Sequence, residues 1–206
     1  MSTSQLAAMT RSIVVALCFV PAHPAHAETL EARLALCIAC HGANGQSALP
    51  EVPSLAGQPA FFLTLQLFMF RQNLRVVEPM NQMMQGLNDE DLRNMAAYLA
   101  KLVPPKPVGG PIDPVRMERA QLVIEQHRCN FCHDRDYSGG HNVPRLAGQR
   151  EDYLVKAMRE YKNNTRRGYD DSMADVLYPI SDEQILELAY FFRAFPLTPL
   201  TLRHNP

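Results

Sequence analysis

Cys37-Ile38-Ala39-Cys40-His41 and Cys129-Asn130-Phe131-Cys132-His133 decide how the rest of the sequence is read. Two thiols separated by two residues on a helical turn can reach both vinyl groups of a porphyrin, and the histidine that follows falls beneath the iron. A C-x-x-C-H run therefore points to covalent haem attachment. A C-x-x-C pair alone also suits a zinc site or a thiol–disulfide motif. Zinc has no need of a histidine directly after each pair, and a redox motif of the thioredoxin kind sits in a β-α-β pattern that this sequence lacks. Two complete copies predict two haem c groups, with Cys37, Cys40, Cys129 and Cys132 as the thioether positions and His41 and His133 as the iron ligands.

Working outward, each motif is followed by the same landmarks in the same order, the mark of an internal repeat. Val52-Pro53-Ser54-Leu55-Ala56-Gly57-Gln58 matches Val143-Pro144-Arg145-Leu146-Ala147-Gly148-Gln149, each opening a helix. Leu87-Asn88-Asp89-Glu90-Asp91-Leu92 through Ala97-Tyr98-Leu99 matches Ile180-Ser181-Asp182-Glu183-Gln184-Ile185 through Ala189-Tyr190-Phe191. Between the copies, the prolines and glycines of Val103-Pro104-Pro105-Lys106-Pro107-Val108-Gly109-Gly110-Pro111 predict an extended, solvated connector. Asp113 caps and Pro114 starts a helix that carries the second cysteine pair into its haem site, while Asn88 and Ser181 read as N-caps followed by acidic residues. No run alternates in the manner of a strand. The expected fold is all-α: domain 1 over 28–103, a Pro/Gly-rich linker over 104–112 and domain 2 over 113–206.

Residues 1–27 have the layout of a secretory signal peptide: Arg11 as the positive flank, Ile13 to Val20 as a short apolar stretch, and Ala25-His26-Ala27 as the cleavage pattern. Cys18 leaves with it, so no thiol remains beyond the four in the two motifs. The mature chain of about 180 residues divides into small domains that need a covalent cofactor to stabilise them. Loss of Arg11 takes the formal charge from −1 to −2, which argues against a nucleic-acid partner. The expected compartment is the periplasm.

The sixth iron ligand follows from elimination and register. His41 is the only mature histidine before His127, and domain 1 has no free cysteine and one lysine, Lys101, which leaves Met69, Met80, Met83, Met84 and Met95. Domain 2 has one late methionine, Met173, seven residues before Ile180, and Met80 lies seven before Leu87. Met80 and Met173 are the assignments, with Met83 the runner-up in domain 1 and His127 and His141 the nearby alternatives in domain 2. Met83 and Met84 align with Val176 and Leu177, both apolar core types. A Met/His pair fills both axial positions, which favours electron transfer over binding of oxygen or peroxide. Pro53 and Pro144, twelve and eleven residues past their histidines, supply carbonyls that could accept the imidazole Nδ1–H and fix its tautomer.

Tandem class-I-like units, each with CxxCH, Pro-x-Leu-Ala-Gly-Gln, a late methionine and a final Asp-Glu helix, resemble the dihaem cytochrome c-four family over nearly all of the mature chain. The resemblance implies two His/Met haems, a pseudo-twofold pair of domains with haem propionates near their interface, and a periplasmic electron carrier, commonly serving a terminal oxidase. The chain departs from it in two places. His133-Asp134-Arg135 replaces the more usual His41-Gly42, and Phe61 to Phe70 is apolar on nearly every face where its counterpart Asp152 to Lys162 is amphipathic. A helix apolar all round belongs in a core or interface, or forms a docking patch for a dedicated partner. Arg159, Lys162, Arg166 and Arg167 read as a solvated basic face, or as a steering patch for an acidic partner.

Function classes follow in order. The leading expectation is a shuttle passing single electrons between a donor and an acceptor protein such as a terminal oxidase, with peripheral membrane association left open. The second is the electron-accepting subunit of a dehydrogenase that oxidises sulfide, alcohols or sugars. A dihaem peroxidase or thiosulfate-oxidising enzyme needs an open or unusually ligated iron, and a methionine for each haem argues against it. No catalytic residues are expected.

Overall fold

The computed structural model describes residues 29–107, 110–166 and 171–195. The signal peptide with Cys18, the linker residues Val108 and Gly109, and Arg167 lie outside them. Within the described residues the first repeat forms α1 (Leu30–His41), α2 (Ala60–Arg71), α3 (Met80–Met83) and α4 (Asp89–Lys101). The second forms α5 (Pro114–His127), α6 (Cys129–His133), α7 (Glu151–Lys162), α8 (Ser172–Leu177) and α9 (Asp182–Ala194). The only β pairing among the described residues is an isolated bridge between Gly140 and Val143, so the fold is all-α.

Helix starts sit where local chemistry puts them. Asn88 and Ser181 each close a capping box, with Asp91 and Gln184 reaching back to the cap backbone. Asp113 accepts from the N–H groups of Val115 and Arg116, with Pro114 at the first helical position. The sequence predicts one helix running into the second cysteine pair, and here the structure differs. α5 stops at Arg128, whose left-handed backbone (φ 54°, ψ 39°) caps it through an N–H to the carbonyl of Ile124, and Cys129 begins the separate α6. In the first repeat, by contrast, Cys37 to His41 are the last turns of an unbroken α1.

Each repeat builds its own core. Leu34, Leu63, Leu67, Phe70, Met84, Leu92, Met95, Ala96 and Leu99 make the first, where α2 packs on α4 and α1 crosses it. The second gathers α5, α7 and α9 around Ile185, Leu188, Ile124 and Leu154. Tyr137 stands edge-on to Phe191, Phe192 and Phe195 there, and burial pushes its hydroxyl up to about 12. α5 and α9 are also clasped by polar groups. Glu187 receives both Arg116 and Arg119 at 2.9 Å, and the Asp113 N–H donates to the Tyr190 hydroxyl at 2.8 Å.

The connector is less solvated than its composition predicts. Pro105 is buried and Pro104 half-buried, because the strand of prolines runs over Gly57 and Gly148. A Cβ on Gly57 would stand 2.4 Å from Pro104 Cγ, and one on Gly148 2.4 Å from the carbonyl oxygen of Pro105. Both glycines also have positive φ, +66° and +74°, so the Leu-Ala-Gly-Gln turn needs glycine for its backbone and for the passage of the linker.

Candidate functional site

The turn after each CxxCH motif is held down before the histidine meets it. In the first repeat, Leu55 and Ala56 N–H groups both donate to the carbonyl of Gly45. In the second, Leu146 and Ala147 do the same to Tyr137. Gly57 and Gly148 N–H groups then donate to Leu99 and Phe192 on the final helices. The prolines two residues upstream of Leu55 and Leu146 are thereby fixed with their carbonyls toward the imidazoles. His41 Nδ1 lies 2.8 Å from Pro53 O, and His133 Nδ1 lies 2.9 Å from Pro144 O.

A carbonyl oxygen only accepts, so each Nδ1 carries the proton and each Nε2 keeps a lone pair. Both rings are buried, at 7% and 5% exposure. Burial pulls their pKa below the ordinary histidine value, against the opposing effect of the carbonyl bond. The result is a neutral imidazole with one nitrogen free to ligate. The thiols are placed alike in the two repeats: Cys37 and Cys129 half-buried, Cys40 and Cys132 exposed, none in a disulfide. Burial pushes the Cys37 and Cys129 thiols up. As a donor set, two unpaired thiols on one turn and an adjacent Nδ1-protonated imidazole fit a c-type haem. Among the described residues no group of three or more His, Cys, Asp or Glu is arranged to hold a metal ion.

The methionines separate by burial. Met69, Met84 and Met95 are inside the core at 4% exposure or less, whereas Met80 and Met83 pack on its edge from α3. Met173, in α8, packs on the edge of the second core. Met84 and Leu177 are buried in equivalent places, which fits the register drawn between the repeats, but Val176, the counterpart of Met83, is exposed at 36% rather than core. His141 is exposed in the loop before Pro144. Its ring stacks on Phe61 with centroids 4.3 Å apart, and its carbonyl accepts from the Phe62 N–H. The apolar α2 is thus partly explained: Leu63, Leu67, Met69 and Phe70 are core, and Phe61 faces the second repeat.

Two groups that sequence reasoning missed complete the picture. Asn81 is buried and ties the loop ahead of Met80 together, accepting from Val77 N–H and donating to the carbonyls of Phe70 and Arg75. Arg166 is buried, at 6% exposure, and so is no part of a solvated face. It donates to the Tyr153 hydroxyl at 3.1 Å and lies over the Tyr161 ring. Arg75, its counterpart in the first repeat, donates to Gln66 at 2.7 Å and lies over Phe70. Both arginines line one cavity of about 270 Å³ together with Leu74, Val77, Glu160 and Thr165. Burial and the facing charge of Arg166 pull the Arg75 guanidinium below its ordinary value. Burial alone would raise the Tyr153 hydroxyl, but the two arginines outweigh it and draw it to about 8. Spacing offered one signal: each arginine stands seventeen residues past the glutamine of its turn.

With this geometry, comparison with known proteins gives a consistent answer. The family described as Cytochrome c matches residues 32–102. The chain is 29% identical to cytochrome c4 of Pseudomonas aeruginosa over 79% of this chain and 85% of that protein. It is 31% identical to the thiosulfate dehydrogenase electron acceptor of Thiomonas intermedia, over 80% of this chain and 81% of that one. The crystal structure of reduced recombinant cytochrome c4 from Pseudomonas stutzeri superposes with a TM-score of 0.71 and 26% identity, covering 82% of this chain and all of that one. Sequence, helical architecture and paired sites agree: the chain belongs to the dihaem cytochrome c4 family, tandem class I cytochrome c domains that carry covalent haem c and transfer electrons between redox proteins.

Proposed function

We propose that the protein is a periplasmic shuttle, with His41 and Met80 ligating the iron of domain 1 and His133 and Met173 that of domain 2, and that it carries electrons toward a terminal oxidase. The supporting observation is the pair of buried imidazoles, each pinned at Nδ1 by a proline carbonyl 2.8 or 2.9 Å away. Bound haem supplies a one-electron couple. The chain's residues hold the covalent attachment at Cys37, Cys40, Cys129 and Cys132, keep each imidazole neutral and oriented, and present a thioether from α3 or α8 that leaves no position for a substrate. Arg166, buried, and Arg75, half-buried, share one cavity and suit the haem carboxylates. Domain limits of 28–103 and 113–206 and a signal peptide over 1–27 belong to the same reading.

A second reading has support in the relative from Thiomonas intermedia, whose name makes it the acceptor of a thiosulfate dehydrogenase. On that reading the chain serves one dehydrogenase, and the half-exposed Phe61 and Phe68 of α2 are where such a partner would sit. Stopped-flow oxidation of the reduced protein by bacterial membranes rich in a terminal oxidase separates the two. Rapid oxidation of both haems supports the shuttle. A protein that stays reduced, and that copurifies with a dehydrogenase through every column, contradicts it in favour of the subunit.

A further inference from the structure

The peptide that orients each histidine is gripped from the other half of the molecule. The Pro144–Arg145 peptide offers its carbonyl to His133 Nδ1–H at 2.9 Å, and its own N–H donates to Gln58 Oε1 at 2.9 Å. Gln58 Nε2–H then donates to the carbonyl of Arg145 at 3.0 Å. The mirror image is present in the first repeat. The Pro53–Ser54 peptide accepts from His41 at 2.8 Å, its N–H donates to Gln149 Oε1 at 2.8 Å, and Gln149 Nε2–H donates to the Ser54 carbonyl at 2.9 Å. Gln58 and Gln149 are the last residues of the two Leu-Ala-Gly-Gln turns, and they, with Ser54, are 5% exposed or less.

Hydrogen bonds in series polarise one another where water is excluded, by roughly 10–30% per bond. A peptide whose N–H is bonded carries more negative charge on its carbonyl oxygen and draws harder on the imidazole proton. The imidazole then becomes a stronger donor through Nε2, which favours the ferric over the ferrous state. A glutamine serving only to join two surfaces has no reason to select the peptide beneath the imidazole, yet both glutamines do so, each in the opposite repeat. We propose that Gln58 and Gln149 are positioning residues acting across the interface, each setting the orientation and donor strength of the histidine in the other domain. Each domain thereby tunes the reduction potential of its neighbour's haem. This rests on His41 and His133 being the axial ligands proposed above.

The test is a redox titration followed by NMR, which resolves the two haems, on the intact dihaem protein and its Gln58→Leu, Gln149→Leu and Gln58→Glu variants. Gln58→Leu is expected to raise the potential of haem 2 and leave haem 1 in place, and to move the His133 Nδ1–H resonance. Gln149→Leu is expected to do the reverse. Gln58→Glu restores a stronger acceptor for the Arg145 N–H and brings haem 2 to or below the wild-type potential, and it carries the test if a leucine variant does not fold. A shift confined to the haem of the mutated domain, equal shifts in both, or no shift overturns the inference while the ligand assignment stands. A wild-type protein without two His/Met low-spin centres overturns the ligand assignment itself, and this inference with it.

Discussion

Asn81 shows how a side chain outside every motif can hold a site in place. It is 3% exposed, and its amide joins one N–H and one carbonyl of the loop that delivers Met80 to the Phe70 carbonyl at the end of α2. Asn81→Ala removes the partner of the Val77 N–H and of the Arg75 carbonyl, so a loss of about 1–3 kcal/mol is expected in denaturant titration, with a weakened methionine-to-iron band from one haem. Met80→Ala is expected to abolish that band for one haem, lower its potential and open its iron to small ligands. Met83→Ala should leave both spectra intact, and the opposite pattern would reverse the assignment. At this scale the histidines and cysteines were legible because covalent attachment demands a fixed spacing, and the prolines because both repeats carry one eleven or twelve residues past the histidine. Asn81, Arg75 and Arg166 were not, because a polar residue enclosed by the fold, wholly or in part, is distinguished from a surface one only by what folds over it. Arg166 reads as one more charge in a basic run until Tyr153 and Tyr161 enclose it.

Among the elements, the capped helices were the most legible and the α5–α6 break the least. Asn88-Asp89-Glu90-Asp91 announces its capping box in order, and Asn88→Ala is expected to cost about 1 kcal/mol in thermal or chemical unfolding. Nothing in Gln126-His127-Arg128-Cys129 announces a stop, since arginine has no preference for the left-handed region it occupies there. The Leu-Ala-Gly-Gln turns lie between these extremes. Their glycines mark a close approach, but the linker that makes the approach is forty-odd residues away in sequence order from each and is visible only in the fold. Gly148→Ala combines a left-handed backbone with a Cβ 2.4 Å from Pro105 O, so it is expected to destabilise by more than about 1–2 kcal/mol, read as a shift in the unfolding midpoint.

Across the whole molecule, the two cores meet through loops, and polar groups decide how firmly. The Lys156–Glu51 pair spans the interface at 2.9 Å, but both ends are well exposed, and such pairs contribute about 0–1 kcal/mol. The buried glutamine contacts carry more of the register. Asp152 also crosses, accepting from the Glu51 N–H at 3.2 Å, and the hydrogen bonds from Arg150 hold its carboxyl below the usual range. A depressed folded pKa contributes stability fully above the unfolded value of about 3.9 and loses it as the pH falls through the folded value. The difference in thermal midpoint between wild type and Asp152→Asn should therefore be constant from neutral pH to about 4 and shrink below it.

On the proposed ligation both irons are closed, by imidazole on one side and thioether on the other, so that only electrons enter and leave. Spectroelectrochemical titration of the isolated protein addresses it most directly, because one experiment counts the haems and reports the ligation of each. Two one-electron transitions are expected, from centres that are low-spin in the ferric state at neutral pH, each with its methionine-to-iron band. A single transition, or a ferric centre that is high-spin at neutral pH, would contradict that ligation.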